Sequence, residues 1–341
     1  MIVTITAGSQ ARPIGAVTSR YEYANGLSRL GHRVHLVHAS WFHTAVSNLD
    51  ELDWFEFDDR IEHHFVEEGR PFEFPCADLI GEPNLLLPPE YGLPFRFVQG
   101  LSLSDGKVDE LLARPCPSIC VARWIYEACI EGGVPEHLLT HIPNGIDAGR
   151  FRLTRPVEDR PPQVSMLYHR SPIKGAADGL AALDLVHEAM PEAAIVLFGR
   201  EAPDRRLPEW VTYHEHPPQP VLVEEIYNGA SVFMGTSRWG EGFGKTPLEA
   251  MACGAALVTT DNGGSRDFAH DGETALVSPP GDPTALSANV LRLLRDDERR
   301  IGLATRGHRL ASEFTWDRSV RALAALLEDY LADGRSVVPS P

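Results

Sequence analysis

The chain has 341 residues, 43% hydrophobic and 23% charged, the balance of a globular protein with room for two cores. No stretch reaches the ~18 uninterrupted apolar residues of a membrane-spanning helix, and the opening MIVTITAG lacks the charged flank and apolar core of a signal peptide, so a cytoplasmic location is expected. The net charge is −17, and residues 1–150 hold 21 acidic against 11 basic side chains; such a surface repels nucleic acid and anionic lipid, which need basic contacts, so no nucleic-acid partner is expected and a neutral or cationic acceptor fits better.

Cys76, Cys116, Cys120, Cys129 and Cys253 are odd in number and show no C-x-x-C spacing, so they are read as free thiols rather than zinc ligands. His63-His64 lacks the second helical His of an H-E-x-x-H site, and no metal is expected there.

In chain order, Ile2–Thr6 reads as a strand and Val17–Leu30 as an amphipathic helix. Gly31 closes that helix, and Arg33–Val37 follows as a second strand. Residues 41–95 mix Trp41, Phe42, Trp54, Phe55, Phe57, Phe65, Phe72 and Phe74 with an acidic run from Asp50 to Glu73, and support neither helix nor strand. They fit a specificity element and a packed surface excursion equally well. Strands are expected again at Arg96–Val98, Ser118–Val121 and His141–Ile142.

The Pro- and Arg-rich stretch at 148–162 reads as a linker, within which the rhythm stops. Beyond it, strands are expected at Val164–Tyr168, Ala194–Phe198, Val211–Tyr213, Ser231–Met234, Ala256–Thr259 and Ala275–Val277. Helices are expected at 174–189, 220–228, 244–253, 282–294, 299–313 and Trp316–Leu331. The alternation implies an α/β protein with two parallel, doubly wound sheets. The expected domains are 1–150, 151–315, and a terminal helix within 316–334 returning to the first.

The chemistry concentrates in Trp239-Gly240-Glu241-Gly242-Phe243-Gly244-Lys245-Thr246-Pro247-Leu248-Glu249, which follows a strand and opens a helix. A Gly-rich approach to a helix start is an anion site. Two carboxylates in a phosphate site pair with vicinal hydroxyls, so a ligand with hydroxyls at both ends and diphosphate between them fits: a nucleotide sugar. A P-loop reading of Gly244-Lys245-Thr246 fails because Trp239 stands where that motif needs Gly, and Gly240-x-Gly242-x-Gly244 misses the dinucleotide fingerprint by one position.

Several segments in order carry a family resemblance: Glu241 and Glu249 at E-x7-E spacing, Ile142-Pro143-Asn144-Gly145-Ile146-Asp147, and His169-Arg170-Ser171-Pro172-Ile173-Lys174-Gly175. Phe198-Gly199-Arg200, Glu249-Ala250-Met251-Ala252-Cys253-Gly254 and Asp261-Asn262-Gly263-Gly264 complete the set. Together they resemble the retaining glycosyltransferases of family 4, over roughly residues 140–315; Tyr21–Leu27 and Gly31–Val34 add a weaker likeness. The resemblance implies the GT-B fold of two facing Rossmann-like domains with a cleft between them, and transfer from a nucleotide-diphosphate sugar with retention and no metal or other cofactor. It implies that Arg170 and Lys174 neutralise the leaving diphosphate, Glu249 holds ribose hydroxyls and Glu241 the donor sugar.

By the same resemblance, the amides of Gly242, Phe243 and Gly244 contact sugar or phosphate. Gly15 admits diphosphate to the Pro13-Ile14-Gly15-Ala16 loop, and Gly199 and Arg200 lie by the nucleotide. Two departures stand out. Ala16 replaces the second Gly of the first loop, and Gln99 stands where many members carry His; Gln99 can hydrogen-bond the sugar but cannot act as a base. Asn144 and Asp147 are read as shaping the hinge turn. The expected donor is UDP-, GDP- or dTDP-linked, and the expected acceptor a soluble polar glycoside or small molecule, with membrane association disfavoured. A GT-B nucleotide-sugar epimerase and a non-catalytic nucleotide-sugar-binding protein are the alternatives.

Overall fold

The structure is a computed structural model and describes residues 1–9, 11, 14–39, 46–66, 75–81, 91–101 and 107–333. Trp41, Phe42, Phe72, Phe74, Pro13 and the acidic residues at 67, 68 and 73 lie outside them. The chain divides into two compact units. One comprises the described residues of 1–121 and 125–145 with the chain from Trp316 onward; the other comprises 122–124 and 146–315.

In the first unit, the described strands are β1 (Ile2–Ala7), β2 (Arg33–His38), β3 (Glu62–Phe65), β4 (Leu79–Gly81), β5 (Leu93–Val98), β6 (Ser118–Cys120) and β7 (Leu139–His141). They form one sheet in the order β3-β2-β1-β4-β5-β6-β7, with every pair parallel. β1 is buried from Val3 to Ala7, as expected for a central parallel strand covered on both faces. The chain's first helices are α1 (Gly15–Arg29), α2 (Lys107–Ala113) and α3 (Arg123–Glu131).

Aromatic residues of the 41–95 region pack inward: Trp54, Phe55, Phe57 and Phe65 lie against the first core. The first three surround the fully buried ring of Tyr21, with centroids 5.7, 5.1 and 4.9 Å away. Of the two readings left open for this stretch, these four side chains follow the packed one. β3 was not legible because Glu62-His63-His64-Phe65 has no apolar alternation, and β4 because three residues are too few to show a period.

The second unit contains β8 (Gln163–Leu167), α4 (Ala176–Ala189), β9 (Ala194–Gly199), β10 (Val211–Glu215), β11 (Val232–Met234) and α5 (Lys245–Ala252). It continues with β12 (Ala256–Thr260), β13 (Ala275–Ser278), α6 (Pro283–Arg295) and α7 (Asp297–Ala311). Its described strands run β10-β9-β8-β11-β12-β13, all parallel. All six expected strands are present, and the doubly wound α/β class is borne out. The helix expected at 220–228 is a π-helix at Val221–Tyr227. α6 starts where the Asp282 carboxylate accepts from the Ala285 amide at 2.9 Å with Pro283 in the first turn, and α7 where Asp296 caps Arg299 at 3.0 Å.

The last helix, α8 (Trp316–Asp333), buries Val320, Leu323 and Leu327 in the first unit's core. A Cβ at Gly26 of α1 would fall 2.3 Å from Val320 Cγ2, so only glycine lets the two helices approach this closely.

Candidate functional site

A ligand site in an open parallel sheet forms at the carboxyl ends of the strands where the winding reverses, because the loops there diverge and leave a crevice. In the second unit the reversal lies between β8 and β11. His169, Arg170 and Lys174 follow β8, and Glu241 follows β11.

The loop after β8 tightens into a 3-10 turn at Pro172–Lys174 and enters α4 through Gly175, whose φ is +63°. A Cβ at Gly175 would meet the Thr236 carbonyl oxygen at 2.0 Å, while the Thr236 hydroxyl donates to the Lys174 carbonyl at 2.7 Å. Glycine therefore locks the β8 and β11 loops together, which places Lys174 against Glu241. The ammonium Nζ donates to Oε1 at 2.8 Å and to Oε2 at 2.6 Å, and the Ser237 hydroxyl adds a third bond to Oε2 at 2.8 Å. With side-chain exposures of 29% and 13%, this pair is poorly screened and stronger than a surface ion pair.

The Glu241 loop is itself held from below. Glu241 forms a parallel bridge with Gly263, and the Gly240 amide donates to the Asn262 carbonyl at 3.1 Å. A Cβ on Gly264 would lie 2.7 Å from the Glu241 carbonyl oxygen, which explains why a Gly-Gly pair closes the 261–264 segment. The Trp124 indole donates to the Gly242 carbonyl at 3.1 Å. Trp239 is exposed (47%), and the Arg266 guanidinium lies 4.8 Å from its ring centroid.

Arg170 is half-exposed, paired with Glu201 at 3.1 Å and donating to the Ala202 carbonyl at 2.7 Å. Arg170, Arg200, Tyr168, His169 and Glu201 line one pocket. Burial, then the Lys174 and Arg200 charges, hold the His169 pKa below its ordinary value, so this imidazole is neutral at pH 7. Gly199 ends β9; a Cβ there would press within 2.4 Å of the Tyr213 hydroxyl and 2.6 Å of the Tyr168 carbonyl oxygen.

Glu249 lies on α5, entered through Gly244 at φ +87°. Its carboxylate accepts from the Tyr227 hydroxyl at 3.0 Å, and burial raises its pKa against the opposing pull of Lys245, Tyr227 and Arg150. Phe243 points away from this face. Its ring is buried between Phe268 and Phe314, with centroids 5.7 and 6.0 Å distant, so its side chain anchors the loop.

In the first unit, Gly15 and Ala16 open α1 instead of lying in a loop, because the helical pattern extends two residues further toward the N-terminus than the apolar spacing shows. The Gln99 amide donates to the Ala16 carbonyl at 3.2 Å, bringing those two together. Asp147 accepts from the amides of Gly149 and Arg150 at 3.0 and 3.1 Å and so holds the turn that starts the linker. Tyr227 and Ser237, which hold the two glutamates, were missed by sequence reasoning. A hydroxyl residue 22 positions from its partner leaves no spacing signal.

Residues 163–296 match the protein family described as glycosyl transferases group 1. The phosphatidyl-myo-inositol mannosyltransferase of Mycolicibacterium smegmatis is 27% identical over 218 residues, 61% of this chain and 55% of that one. The chain spans no more than 62% of the length of the first curated relatives it matches. Among solved structures, sucrose-phosphate synthase of Thermosynechococcus elongatus superposes with a TM-score of 0.73 at 16% identity, covering 97% of this chain and 99% of that one. Anabaena HepE, solved in complex with UDP-glucose, gives 0.73 at 16%, covering 96% and 100%. These likenesses agree with the glycosyltransferase resemblance read from the motifs: the chain has the GT-B fold, and its residues 163–296 are similar to the glycosyl transferases group 1 family.

Proposed function

We propose that this protein is a glycosyltransferase that moves a sugar from a nucleotide-diphosphate donor to a hydroxyl acceptor, with retention at the anomeric carbon and without an essential metal. The observation that carries the reading is the Lys174–Glu241 pair at the winding reversal of the second sheet, inside the segment that matches the family. When donor binds, Lys174 and Arg170 exchange their carboxylate partners Glu241 and Glu201 for the diphosphate. Glu241, released from Lys174, accepts from sugar hydroxyls.

As the glycosidic bond breaks, negative charge grows on the diphosphate, and cations already in place lower that barrier without reorganisation. Glu249 holds the ribose. The amides of Gly242 and Gly244, with Gly199 and Arg200, complete the donor contacts within the second unit. The crystallised HepE complex with UDP-glucose supports a nucleotide sugar as donor. The acceptor is a polar molecule bearing hydroxyls, in keeping with the net charge of −17.

Incubating the protein with uridine, guanosine and deoxythymidine diphosphate sugars and a panel of glycoside and polyol acceptors, while following nucleotide release, tests the proposal. Turnover with one donor, and a product whose anomeric proton keeps the donor's coupling, is expected. Neither turnover nor binding with any donor rejects the reading; binding without turnover supports a non-catalytic binder, and donor conversion without acceptor supports an epimerase.

A further inference from the structure

The first unit contains a cluster that glycosyl transfer does not use. β2 and β3 pair in parallel with His35 opposite Glu62 and Val37 opposite His64. Because side chains alternate along a strand, Glu62 and His64 emerge on the same face as His35. His35 Nδ1 lies 3.0 Å from His64 Nε2 and 3.6 Å from Glu62 Oε2, and all three ligand atoms lie within 4.8 Å of one another. Among the described residues this is the one group of three or more His, Cys, Asp or Glu side chains that converge in this way.

Around a tetrahedral ion with metal–nitrogen bonds of about 2.05 Å, neighbouring ligand atoms stand about 3.3 Å apart. The two observed gaps lie on either side of that value. The third gap, between Glu62 and His64, is no more than 4.8 Å, so closing around an ion takes side-chain movement and leaves the strands in register. The carboxylate is held ready: Arg33 Nε donates to Glu62 Oε1 at 2.7 Å, which orients the group and leaves Oε2 facing the imidazoles. Such outer contacts fix the geometry of ligands in metal sites. His35 is buried (5%), whereas the Glu62 side chain is 44% exposed. An ion therefore has a way in, and water can fill its remaining position.

We propose that His35, Glu62 and His64 form a binding site for a late first-row divalent cation of the zinc class, bridging β2 to the edge strand β3. Two imidazoles and one carboxylate suit such an ion and not Mg²⁺ or Ca²⁺, which take oxygen ligands. The hydrogen shared by His35 Nδ1 and His64 Nε2 gives way to the ion. The ring that donates it takes a proton on its other nitrogen, so both imidazoles stay neutral and no net proton is released. The ion clasps two neighbouring strands and has no part in holding the donor. The sequence reading at His63-His64 looked for a helical pair, whereas here the ligands come from alternate positions of one strand and the facing position of the next.

The test is calorimetric titration of ZnCl₂ into the full chain after chelator treatment, alongside His64→Ala, Glu62→Gln and, as a control at an exposed position, His137→Ala. Wild type and His137→Ala are expected to bind one equivalent, with a rise in melting temperature. Each ligand variant should bind at least about tenfold more weakly, while its metal-free melting curve shows that it folds. If Co²⁺ replaces Zn²⁺, the visible absorption of a tetrahedral site should appear in wild type and vanish in His64→Ala. No saturable binding by wild type, or equal binding by His64→Ala and Glu62→Gln, overturns the proposal.

Discussion

The two units share a plan and differ in what they place at the carboxyl ends of their strands. Both sheets are parallel with the winding reversed beside the first strand, at β1/β4 in one and β8/β11 in the other. In the second unit the loops at that reversal carry fixed charge, with Lys174 bonded to Glu241 and Arg170 to Glu201. In the first unit the residues following β1 and ending β2 join a neutral chain. The Tyr21 hydroxyl donates to Ser9 Oγ at 2.7 Å, Ser9 Oγ meets His38 Nδ1 at 2.7 Å, and His38 Nε2 meets His63 Nδ1 at 2.9 Å. Burial pushes His38 down to about 3. One topology thus supports a loop cluster of paired charges and a neutral, aromatic-walled one, and the loops decide between them.

Removing charge from the second unit should produce the largest effect. Lys174→Ala is expected to lower kcat by roughly 10²–10³, the usual cost of losing one group that meets developing negative charge, in a variant that folds but melts lower because Glu241 loses its ammonium partner. Steady-state kinetics with the preferred donor would show it. A variant with unchanged kcat would mean the pair is structural.

Glu249→Ala should weaken donor binding by about 10- to 100-fold, as expected for losing a charge-assisted hydrogen bond. Because the Glu249 pKa is raised, wild-type donor affinity should fall as pH drops through a value above the ordinary carboxylate range, since the neutral acid accepts less strongly. Titrations across pH test this, and an affinity flat over the acidic range would contradict the assigned role.

Gly175→Ala asks whether the two loops must touch. The added Cβ would collide with the Thr236 carbonyl oxygen and strain a left-handed backbone, so a destabilisation of about 1–3 kcal/mol is expected. Denaturant melts would measure it, with donor affinity falling too because Lys174 precedes the shifted residue.

The gentlest probe lies in the first unit. His38 has a folded pKa of about 3 against an ordinary 6.5. Its contribution to stability is complete above about 6.5 and is lost as pH falls toward 3, because the unfolded chain takes up a proton that the folded one refuses. The slope from this residue is at most about 1.4 kcal/mol per pH unit. His38→Asn, though less stable at neutral pH, should show a flatter decline, and an identical slope would remove His38 as the cause.

The same contrast explains what the sequence disclosed. The second unit's strands are short apolar runs set between helices with clear caps, such as Asp282-Pro283 and Asp296, so periodicity and punctuation agreed. Its candidate site residues sit in glycine-bearing loops or the helix such a loop opens, and their spacing is local: Glu241 to Glu249, and Arg170 to Lys174. In the first unit β3 carries Glu62, His63 and His64 in place of an apolar alternation. The aromatic residues 54–57 are core that looks like surface because acidic residues separate them. The partners that set the site's geometry were hidden everywhere. Nothing in a local pattern tells that Thr236 abuts Gly175 or that Tyr227 bonds Glu249.

The most direct test of the account is calorimetric titration of UDP, GDP and dTDP into wild type and an Arg170→Ala/Lys174→Ala double variant. Saturable binding of at least one nucleotide by wild type is expected, and at least about tenfold weaker binding by the double variant, whose melting curve shows that it is folded. Equal affinity in the two proteins, or no binding of any nucleoside diphosphate by wild type, would contradict it.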